Sequence, residues 1–414
     1  MKPSNKESAV NLLLYEGEAE KGPARPGQLR QVNTREILRL LRLHSPCSCA
    51  DIVRQSGLSA PTVSSTINYL RRKHLVERIG RGTSSGGRPP TLLRFNDTFG
   101  YVAGVDIGGT AVRVVLADLH GKIVGKWVGP IYGKSTPKRV VALVMRGIHQ
   151  LERHHGVPAK KLMAVAAGAP GITDARAGIV FSAPNLTNWK DVPLRQILED
   201  SAGVPAAIEN DVNLGALGES WSGTARGVRN FVFIAIGTGI GAGIFVNGRL
   251  YHGSDWAAGE IGYLRVPGTK ETRLAIHRPG PLESVIGGGG IERMWRMSRN
   301  GNRTRRPAKP QHLKATEIFD LAQSGDPRAR RVLMQSARIL ADAIADVGVI
   351  LNTSQVVLGG RVGLHSALFE ATRRILERNE IARPRLTLST LGEDAQLCGA
   401  IWLALKTVEQ QALP

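Results

Sequence analysis

Apolar and polar positions change their spacing twice along the first hundred residues. Three segments repeat apolar residues every three or four positions, which predicts three short helices. The apolar positions of the first and third helices are Ile37, Leu38 and Leu41, and Val63, Ile67 and Leu70. Residues 75–79 and 91–95 then alternate apolar and polar side chains, as the two strands of a hairpin do. Three helices and a hairpin, in that order, predict a winged helix-turn-helix.

Local signals support these helix boundaries. The first helix is predicted over residues 34–44. Ser48 and Asp51 have the spacing of a capping box at the start of the second helix, and Gly57 is placed to end it. Ser59 is placed to cap the third helix.

The third helix presents a polar face opposite its apolar one. Short polar side chains let a helix backbone approach the base edges of the major groove, and an arginine can bind a DNA phosphate. The predicted DNA contacts on this helix are Ala60, Thr62, Ser64, Ser65, Asn68 and Arg72. In the hairpin loop, Arg88 lies between Gly87 and Pro89 and is predicted to enter the minor groove. The alternative is a small helical interaction module with a solvated polar face.

The distribution of charge favours DNA as the partner of this module. The chain carries a net charge of +21, and residues 29–98 hold twelve Lys and Arg against four Asp and Glu, a net +8. Local positive charge of this kind is typical of a surface that binds a polyanion. With 414 residues, 42% hydrophobic and 21% charged, the chain is expected to form two or three globular domains. The polar residues 1–28 are predicted to be a mobile tail.

The cysteine content and the length of the apolar runs predict where in the cell the protein resides. Cys47, Cys49 and Cys398 provide no disulfide framework, which is typical of a reducing cytoplasm. The longest uncharged apolar run, residues 231–246, has 16 positions and four glycines, and is too short for a membrane span. The sequence therefore predicts a cytoplasmic protein that does not enter a membrane.

After residue 98 the pattern becomes that of an α/β fold. Strands are predicted at residues 101–105, 112–116, 122–127 and 163–167, with a helix over residues 139–154. Neither a P-loop motif nor a GxGxxG turn between a strand and a helix occurs. Two of the common nucleotide-binding folds are therefore excluded.

Glycines and polar residues follow several of these strands. Backbone N–H groups in a glycine turn can approach phosphate oxygens, and an adjacent aspartate can hold Mg²⁺. Such turns occur at residues 106–110, 236–241 and 359–360, and Glu209, Asn210 and Asp211 close another apolar strand. A carboxylate at that strand end could accept the proton of a sugar hydroxyl that attacks a phosphate. Taken singly, each of these features is equally explained as a tight turn or a helix cap.

Taken together, the segments are similar to those of a known family. The chain resembles the ROK group (repressors, open reading frames and kinases) of the actin/hexokinase superfamily from about Gln31 to the C-terminus. The matching segments, in order, are VDIGGT, GAPGI, SAPNLTNW, ENDVN, IGTGIGAGI, GEIG, GPLE and VVLGG. The resemblance implies a winged-helix head at residues 29–97, followed by a two-lobed, ribonuclease H-like ATPase fold at residues 98–414. The small lobe would comprise residues 98–209 plus 396–414, and the large lobe residues 210–395.

The resemblance also implies a role for individual residues. It places a sugar and ATP in the cleft between the lobes, with Asp211 as the catalytic base. The implied sugar ligands are Asn210, Asp211, Glu260 and Glu283. The implied nucleotide contacts are Asp106, Gly108, Gly109, Thr110, Gly237, Thr238, Gly239, Gly359 and Gly360.

Two departures from the family pattern concern zinc. Tyr263 stands where the family has a zinc-binding histidine, and it either offers a hydroxyl to the sugar or fills the space. The three family cysteines between Leu274 and Glu283 are also absent, and His277 alone cannot replace four ligands. We therefore expect no structural zinc. The basic segment 293–314 is interpreted as a solvated loop, with a DNA contact as the alternative.

These features predict a sugar-responsive transcription factor that represses genes. Its expected partners are double-stranded operator DNA and a sugar or sugar-phosphate effector, and the chain is expected to form a homodimer or tetramer. DNA binding is expected to need no cofactor. The alternative is an ATP-dependent and Mg²⁺-dependent sugar kinase that carries a regulatory head.

Overall fold

A computed structural model describes residues 26–83, 89–269, 274–275, 278–298, 312–381 and 383–412. Four of the predicted features lie wholly or mostly outside the described residues: residues 1–25 of the predicted tail, Arg88, His277 and residues 299–311 of the basic segment.

The N-terminal module combines three helices with a three-stranded antiparallel sheet. The elements are α1 (Pro26–His44), β1 (Cys47–Ser48), α2 (Cys49–Ser56), α3 (Ala60–Arg72), β2 (Val76–Arg81) and β3 (Thr91–Phe95). The strand order is β1-β3-β2. The hairpin was expected, whereas β1 is too short for its alternation to be visible in the sequence. Helix α1 begins eight residues before the predicted start, within the predicted tail. The sequence did not reveal this extension, because its apolar residues Leu29 and Val32 are exposed and do not continue the apolar face of the helix.

The predicted capping residues form the bonds that define these helices. Ser48 N–H donates to Asp51 Oδ2 at 2.8 Å, and Asp51 N–H donates to Ser48 Oγ at 3.2 Å, which confirms the capping box. Gly57 ends α2 with a left-handed φ of +70°. The apolar side chains Val63 and Leu70 of α3 are fully buried. Helix α3 is therefore fixed to the module by the face opposite its polar one.

The first lobe of the α/β body is a five-stranded mixed sheet. Its strands and those of a small adjoining sheet are β4 (Tyr101–Ile107), β5 (Ala111–Asp118), β6 (Ile123–Pro130), β7 (Leu162–Ala169), β8 (Ile172–Asp174), β9 (Ile179–Ser182), β10 (Lys190–Val192) and β11 (Ala206–Asn210). The main order is β11-β7-β4-β5-β6, and β10-β9-β8 form the small sheet. Helices α4 (Pro137–His155) and α5 (Leu194–Ala202) cover one face of the main sheet.

The second lobe repeats this topology. Its elements are α6 (Asp211–Ser222), β12 (Phe231–Ile236), β13 (Ile240–Val246), β14 (Arg249–Leu250), α7 (Pro281–Ile286), α8 (Gly288–Met297), α9 (Ala315–Gln323), α10 (Pro327–Leu351), β15 (Gln355–Gly359), α11 (Gly360–Gly363), α12 (Ser366–Leu376) and β16 (Arg385–Leu388). The order is β14-β13-β12-β15-β16. In both lobes a central strand has an antiparallel meander on one side and two parallel strands on the other. The β4–β5 and β12–β13 turns therefore occupy equivalent positions.

Helices α6 and α13 (Ala395–Thr407) pack closely against each other in the centre of the body. A Cβ atom at Gly399 would lie 1.8 Å from the carbonyl oxygen of Leu214, and one at Gly218 would lie 2.3 Å from that of Ala395. Only glycine allows this approach, so neither helix can shift without moving the other.

Helix α13 continues through a π-helical turn (Val408–Ala412) to the N-terminal module. There Glu409 forms an ion pair with Arg42 of α1, and Arg35 Nη2 donates to the Gln410 carbonyl at 3.1 Å. Buried residues of the module and of α13 belong to one hydrophobic cluster. Among the described residues, no helix is long and apolar enough to cross a lipid bilayer.

Candidate functional site

A cavity of about 350 Å³ lies between the two lobes, where the ends of several strands meet. Most of the predicted cleft residues line it, although they come from distant parts of the sequence. These are Gly108, Gly109, Asn210, Asp211, Gly237, Thr238, Gly239, Glu260, Tyr263, Glu283 and Gly360. Of the remaining predicted residues, Asp106, Thr110 and Gly359 adjoin these in the chain but are not among the described residues that line the cavity.

Asn210 and Asp211 stand where β11 ends and α6 begins. Asn210 is the N-cap of α6: its Oδ1 accepts hydrogen bonds from the N–H groups of Val212 and Asn213 at 2.9 and 3.0 Å. Its Nδ2 donates to the Gly171 carbonyl at 2.8 Å. These bonds hold the amide rigidly and leave a second amide hydrogen for a ligand.

The environment of Asp211 disfavours its charged form. Burial is the main cause and raises the pKa of Asp211 to about 8, and the negative charges of Asp106 and Glu260 add to the effect. A carboxyl group with such a pKa is mostly protonated at neutral pH and becomes half-ionised only near pH 8. It can therefore donate or accept a hydrogen bond, or take a proton from a hydroxyl.

Glu260, Tyr263 and Glu283 form the opposite wall. Glu260 precedes a short 3₁₀ turn (Ile261–Tyr263), and Glu283 lies in the first turn of α7. Burial raises the pKa of both glutamates, and the neighbouring Glu283 raises that of Glu260 further. Acidic groups on both sides of a polar cavity suit a ligand with several hydroxyl groups, since each oxygen can accept a hydroxyl hydrogen.

The Tyr263 hydroxyl contacts the main chain of the segment that leads to Glu283. The Tyr263 Oη atom lies 3.4 Å from the carbonyl oxygens of Ala275 and Arg278. These contacts support the segment that leads to Glu283, a role that was not among the two predicted for Tyr263; its contact with a sugar stays a prediction.

The two glycine turns differ from simple phosphate loops. The Gly108 N–H donates to the Ala111 carbonyl, and the Gly237 N–H donates to the Gly239 carbonyl, each at 2.9 Å. These two donors are used inside their own turns. A Cβ at Gly237 would meet no atom within 4 Å, so the backbone is open to the cavity at this point.

Gly359 and Gly360, at the end of β15, must be glycine for different reasons. Gly360 has a φ of +73°, and a Cβ there would lie 2.5 Å from the Ile236 carbonyl oxygen. A Cβ at Gly359 would lie 2.4 Å from the ring of Phe233. Gly359 is therefore required by packing inside the lobe, whereas Gly360 borders the cavity.

Asp106 is engaged by a cation within the protein. Arg113 Nε donates to Asp106 Oδ2 at 2.8 Å, and Arg113 Nη2 lies 2.7 Å from the same oxygen. The sequence did not reveal this partner, because the contact depends on the register of β4 against β5.

The family of the chain follows from the match of its body. A sequence model of the ROK family matches residues 102–407. The chain belongs to the ROK family. Its α/β body has the actin/hexokinase-like kinase fold of that family, as predicted.

ROK relatives include both repressors and kinases. The xylose repressor of Caldicellulosiruptor bescii is 26% identical over 385 residues, which cover 91% of this chain and 96% of the repressor. A glucokinase of Halalkalibacterium halodurans is 30% identical over 312 residues, which cover 73% of this chain and 94% of the glucokinase.

A solved structure shares the fold over nearly the whole chain. The crystal structure of a ROK family transcriptional regulator, a homologue of the Escherichia coli MLC protein, superposes with a TM-score of 0.76 at 24% identity. The superposition covers 92% of this chain and 97% of that protein.

Glu209 and His252 form a buried pair that was not predicted from the sequence. Glu209 Oε1 accepts from the Asn210 N–H at 2.9 Å and from Asn213 Nδ2 at 3.0 Å, and Glu209 Oε2 lies 2.8 Å from His252 Nε2. The pair connects the β11–α6 corner with the loop that leads to Glu260. The only sequence signal was a glutamate within an apolar strand end, since His252 is distant in the chain.

The predicted absence of structural zinc concerns the loop between Tyr263 and Glu283, of which residues 270–273 and 276–277 are not described. Within the described parts of the chain, no three His, Cys, Asp or Glu side chains are grouped so that they could hold a metal ion. Tyr263 and Glu283 lie on either side of that loop.

The predicted DNA-contacting residues of α3 share one face. Ala60, Ser64, Ser65, Asn68 and Arg72 are exposed. Thr62 is half-buried, and its hydroxyl lies 2.8 Å from Ser59 Oγ at the start of the helix. A continuous polar surface thus faces away from the buried side chains of the module.

Proposed function

We propose that this ROK protein is a sugar-responsive transcriptional repressor of genes for carbohydrate uptake or catabolism. A sugar or sugar phosphate binds in the cleft and changes the affinity of the N-terminal module for operator DNA. The observation that carries this proposal is the presence, in one chain, of an exposed polar helix on a basic module and a polar cleft joined to it by α13.

The N-terminal module acts as a winged helix-turn-helix. Helix α3 enters the major groove with its exposed face, where Asn68 can bond a base edge and Arg72 a phosphate. Arg88, in the loop between β2 and β3, enters the adjacent minor groove. The alignment with a xylose repressor over 91% of the chain supports this role, whereas the glucokinase leaves about a quarter of the chain unmatched.

The cleft binds a sugar through its acidic and amide side chains. Asn210, Asp211 and Glu260 bond neighbouring hydroxyl groups, and Glu283 completes the set. A sugar that lacks one of these hydroxyls would leave a buried polar group unpaired, which costs about 1–3 kcal/mol.

Helix α13 connects the two sites. Gln396 near its N-terminus lines the cavity, and the turn after its C-terminus contacts α1 through Glu409 and Gln410. Its close packing against α6, which begins at Asp211, transmits a displacement of the cleft to the DNA-binding module. Sugar must bind one of the two arrangements more tightly for this to change DNA affinity.

The active species is a homodimer or tetramer. One module of this size buries too little DNA surface for tight specific binding, and two modules on one operator double the contacts. DNA binding needs no cofactor and no structural zinc. ATP and Mg²⁺ belong to the alternative function below.

The direct test is fluorescence anisotropy on DNA from the protein's own promoter, with a panel of free and phosphorylated sugars. We expect one sugar to raise the apparent Kd several-fold, and Glu260→Ala to abolish that response without changing DNA affinity. Arg88→Ala should weaken DNA binding and lower its salt dependence by about one phosphate contact. Tight DNA binding that no sugar alters would contradict the sensor role.

The second candidate is an ATP-dependent kinase of a hexose or amino sugar. The raised pKa of Asp211, to about 8, favours it, because that carboxylate can accept a hydroxyl proton. The 30% identity to a glucokinase supports it further. Sugar-dependent ADP formation that rises with pH towards 8 and disappears in Asp211→Asn would establish this function.

A further inference from the structure

Asp106 and Arg113 face each other across neighbouring strands. They are paired in the register of β4 against β5. Two guanidinium nitrogens of Arg113 lie 2.8 and 2.7 Å from Asp106 Oδ2. Both side chains are largely buried, with 24% of the Arg113 and 11% of the Asp106 side chain exposed. Contacts of this length between a guanidinium and a carboxylate are charge-assisted hydrogen bonds.

Arg113 is also held from its other side. Its Nη1 donates to the Glu393 carbonyl at 2.5 Å, in the turn that precedes α13. Because the guanidinium is bonded to Asp106 and to the main chain at once, it cannot leave the carboxylate without breaking both contacts.

The acidic groups of that turn are matched by further cations. Lys126 Nζ lies 2.5 Å from Asp394 Oδ2, and Arg361 Nε lies 3.4 Å from Glu393 Oε1. Lys126 belongs to β6 of the first lobe and Arg361 to α11 of the second. Each carboxylate around Asp106, like Asp106 itself, therefore has a cation of the protein as its partner.

Asp106 is the carboxylate to which the family resemblance assigns a magnesium nucleotide. Mg²⁺ requires free carboxylate, phosphate or water oxygens in octahedral arrangement. Here an oxygen of Asp106 is taken by a guanidinium, whose charge repels a divalent ion. The residues present do not fit the ion.

We propose that Arg113 replaces the divalent cation beside Asp106, so that the cleft binds its sugar effector without a magnesium nucleotide. This inference rests on the proposed function, since it specifies the ligand class of the same cleft. It makes Arg113 a specificity-determining residue: the guanidinium satisfies Asp106 permanently, and the position is closed to the metal.

Titration calorimetry of Mg²⁺–ADP into the full-length protein tests the proposal. For the unaltered chain we expect weak nucleotide binding that is the same with Mg²⁺ and with EDTA. Arg113→Gln removes the charge and keeps hydrogen-bond donors, and it should tighten Mg²⁺–ADP binding at least ten-fold with Mg²⁺ only. Arg113→Lys retains the charge and should behave as the unaltered chain. Adding Asp106→Asn to Arg113→Gln should abolish the gain.

Two results would overturn the proposal: Mg²⁺-dependent ADP binding by the unaltered chain as tight as that of Arg113→Gln, or no gain in a folded Arg113→Gln. If that variant does not fold, Mn²⁺ electron paramagnetic resonance of the unaltered chain decides. ADP-dependent immobilisation of Mn²⁺ would contradict the proposal, and its absence would support it. The sugar panel on operator DNA is measured separately, so failure of the sensor role is distinguishable from failure at Arg113.

Discussion

At the scale of single residues, the cleft concentrates acidic side chains that ordinary surfaces keep apart. Burial raises the pKa of both Asp211 and Glu260; the negative charges of Asp106 and Glu260 raise that of Asp211 further, and Glu283 does the same to Glu260. A protonated carboxyl group, which Asp211 mostly is at neutral pH, can both donate and accept hydrogen bonds, and a polyhydroxylated ligand requires both. Without a ligand, the same groups destabilise the folded protein whenever they ionise.

The stability of the protein should therefore depend on pH through Asp211. Its folded pKa of about 8 exceeds the ordinary value near 4, so the folded state holds the proton more tightly. The stabilising contribution is fully present below pH 4 and is lost as pH rises to 8. Asp211→Asn cannot ionise and should exceed the unaltered chain in stability by on the order of 2 kcal/mol at pH 9, less than the full shift implies because cavity water solvates the carboxyl.

Thermal unfolding at pH 5, 7 and 9 measures this difference. It should be smallest at pH 5, increase through pH 7 and level off above pH 8. The exposed substitution Asp200→Asn, remote from the cleft, is the matched control and should show the same offset at all three values. An Asp211→Asn variant with a constant offset would show that this carboxyl does not carry the pH dependence.

Individual residues were predictable where their neighbours in sequence determine their role. Asn210 caps α6 and Ser48 caps α2 because the bonded N–H groups lie two or three positions away. The Asp106–Arg113 pair and the Glu209–His252 pair were not predictable, because strand register and loop closure bring their partners together. The two glycines after β15 look alike in sequence, but only Gly360 borders the cavity.

At the scale of elements, the two lobes share one topology, which explains the pair of glycine turns. The turns β4–β5 and β12–β13 each follow the central strand of a sheet, so both point into the cleft from opposite sides. The presence of strands was predictable from apolar alternation. The equivalence of the two sheets was not, because it becomes visible only in the order in which their strands are hydrogen-bonded. The role of α13 as a connection was equally hidden, because its contacts with α6 and α1 lie far apart in sequence.

A substitution at Glu409 tests whether the contact between the end of α13 and α1 carries the signal. Glu409→Gln removes the partly shielded ion pair with Arg42 of α1, together with the ion pair that Glu409 forms with Lys406 of α13. We expect DNA affinity without sugar and sugar affinity without DNA to stay within about two-fold, while the sugar-induced change in operator Kd falls at least three-fold.

Fluorescence anisotropy with saturating sugar provides this comparison. Glu377→Gln, which removes an ion pair with Arg373 on α12, is the control and should keep the full response. A full response in Glu409→Gln would show that the signal takes another route than the α13–α1 contact.

At the scale of the whole molecule, a basic module and a cleft lined by polar residues lie at opposite ends of one helix, α13. In the proposed function, the basic residues provide a salt-dependent affinity for any DNA, and the polar face of α3 provides sequence preference. A sugar bound in the cleft then lowers that DNA affinity. Such a molecule is a switch only if the two equilibria are linked.

If sugar binding changes the affinity for DNA, DNA binding must change the affinity for sugar by the same factor. This reciprocity provides the most direct measurement. Isothermal titration of the effector sugar, with and without saturating operator DNA, yields two sugar dissociation constants. The account predicts that DNA weakens sugar binding by the same factor by which the sugar weakens DNA binding. Equal sugar dissociation constants with and without operator would contradict it, because the cleft and the DNA-binding module would then act independently.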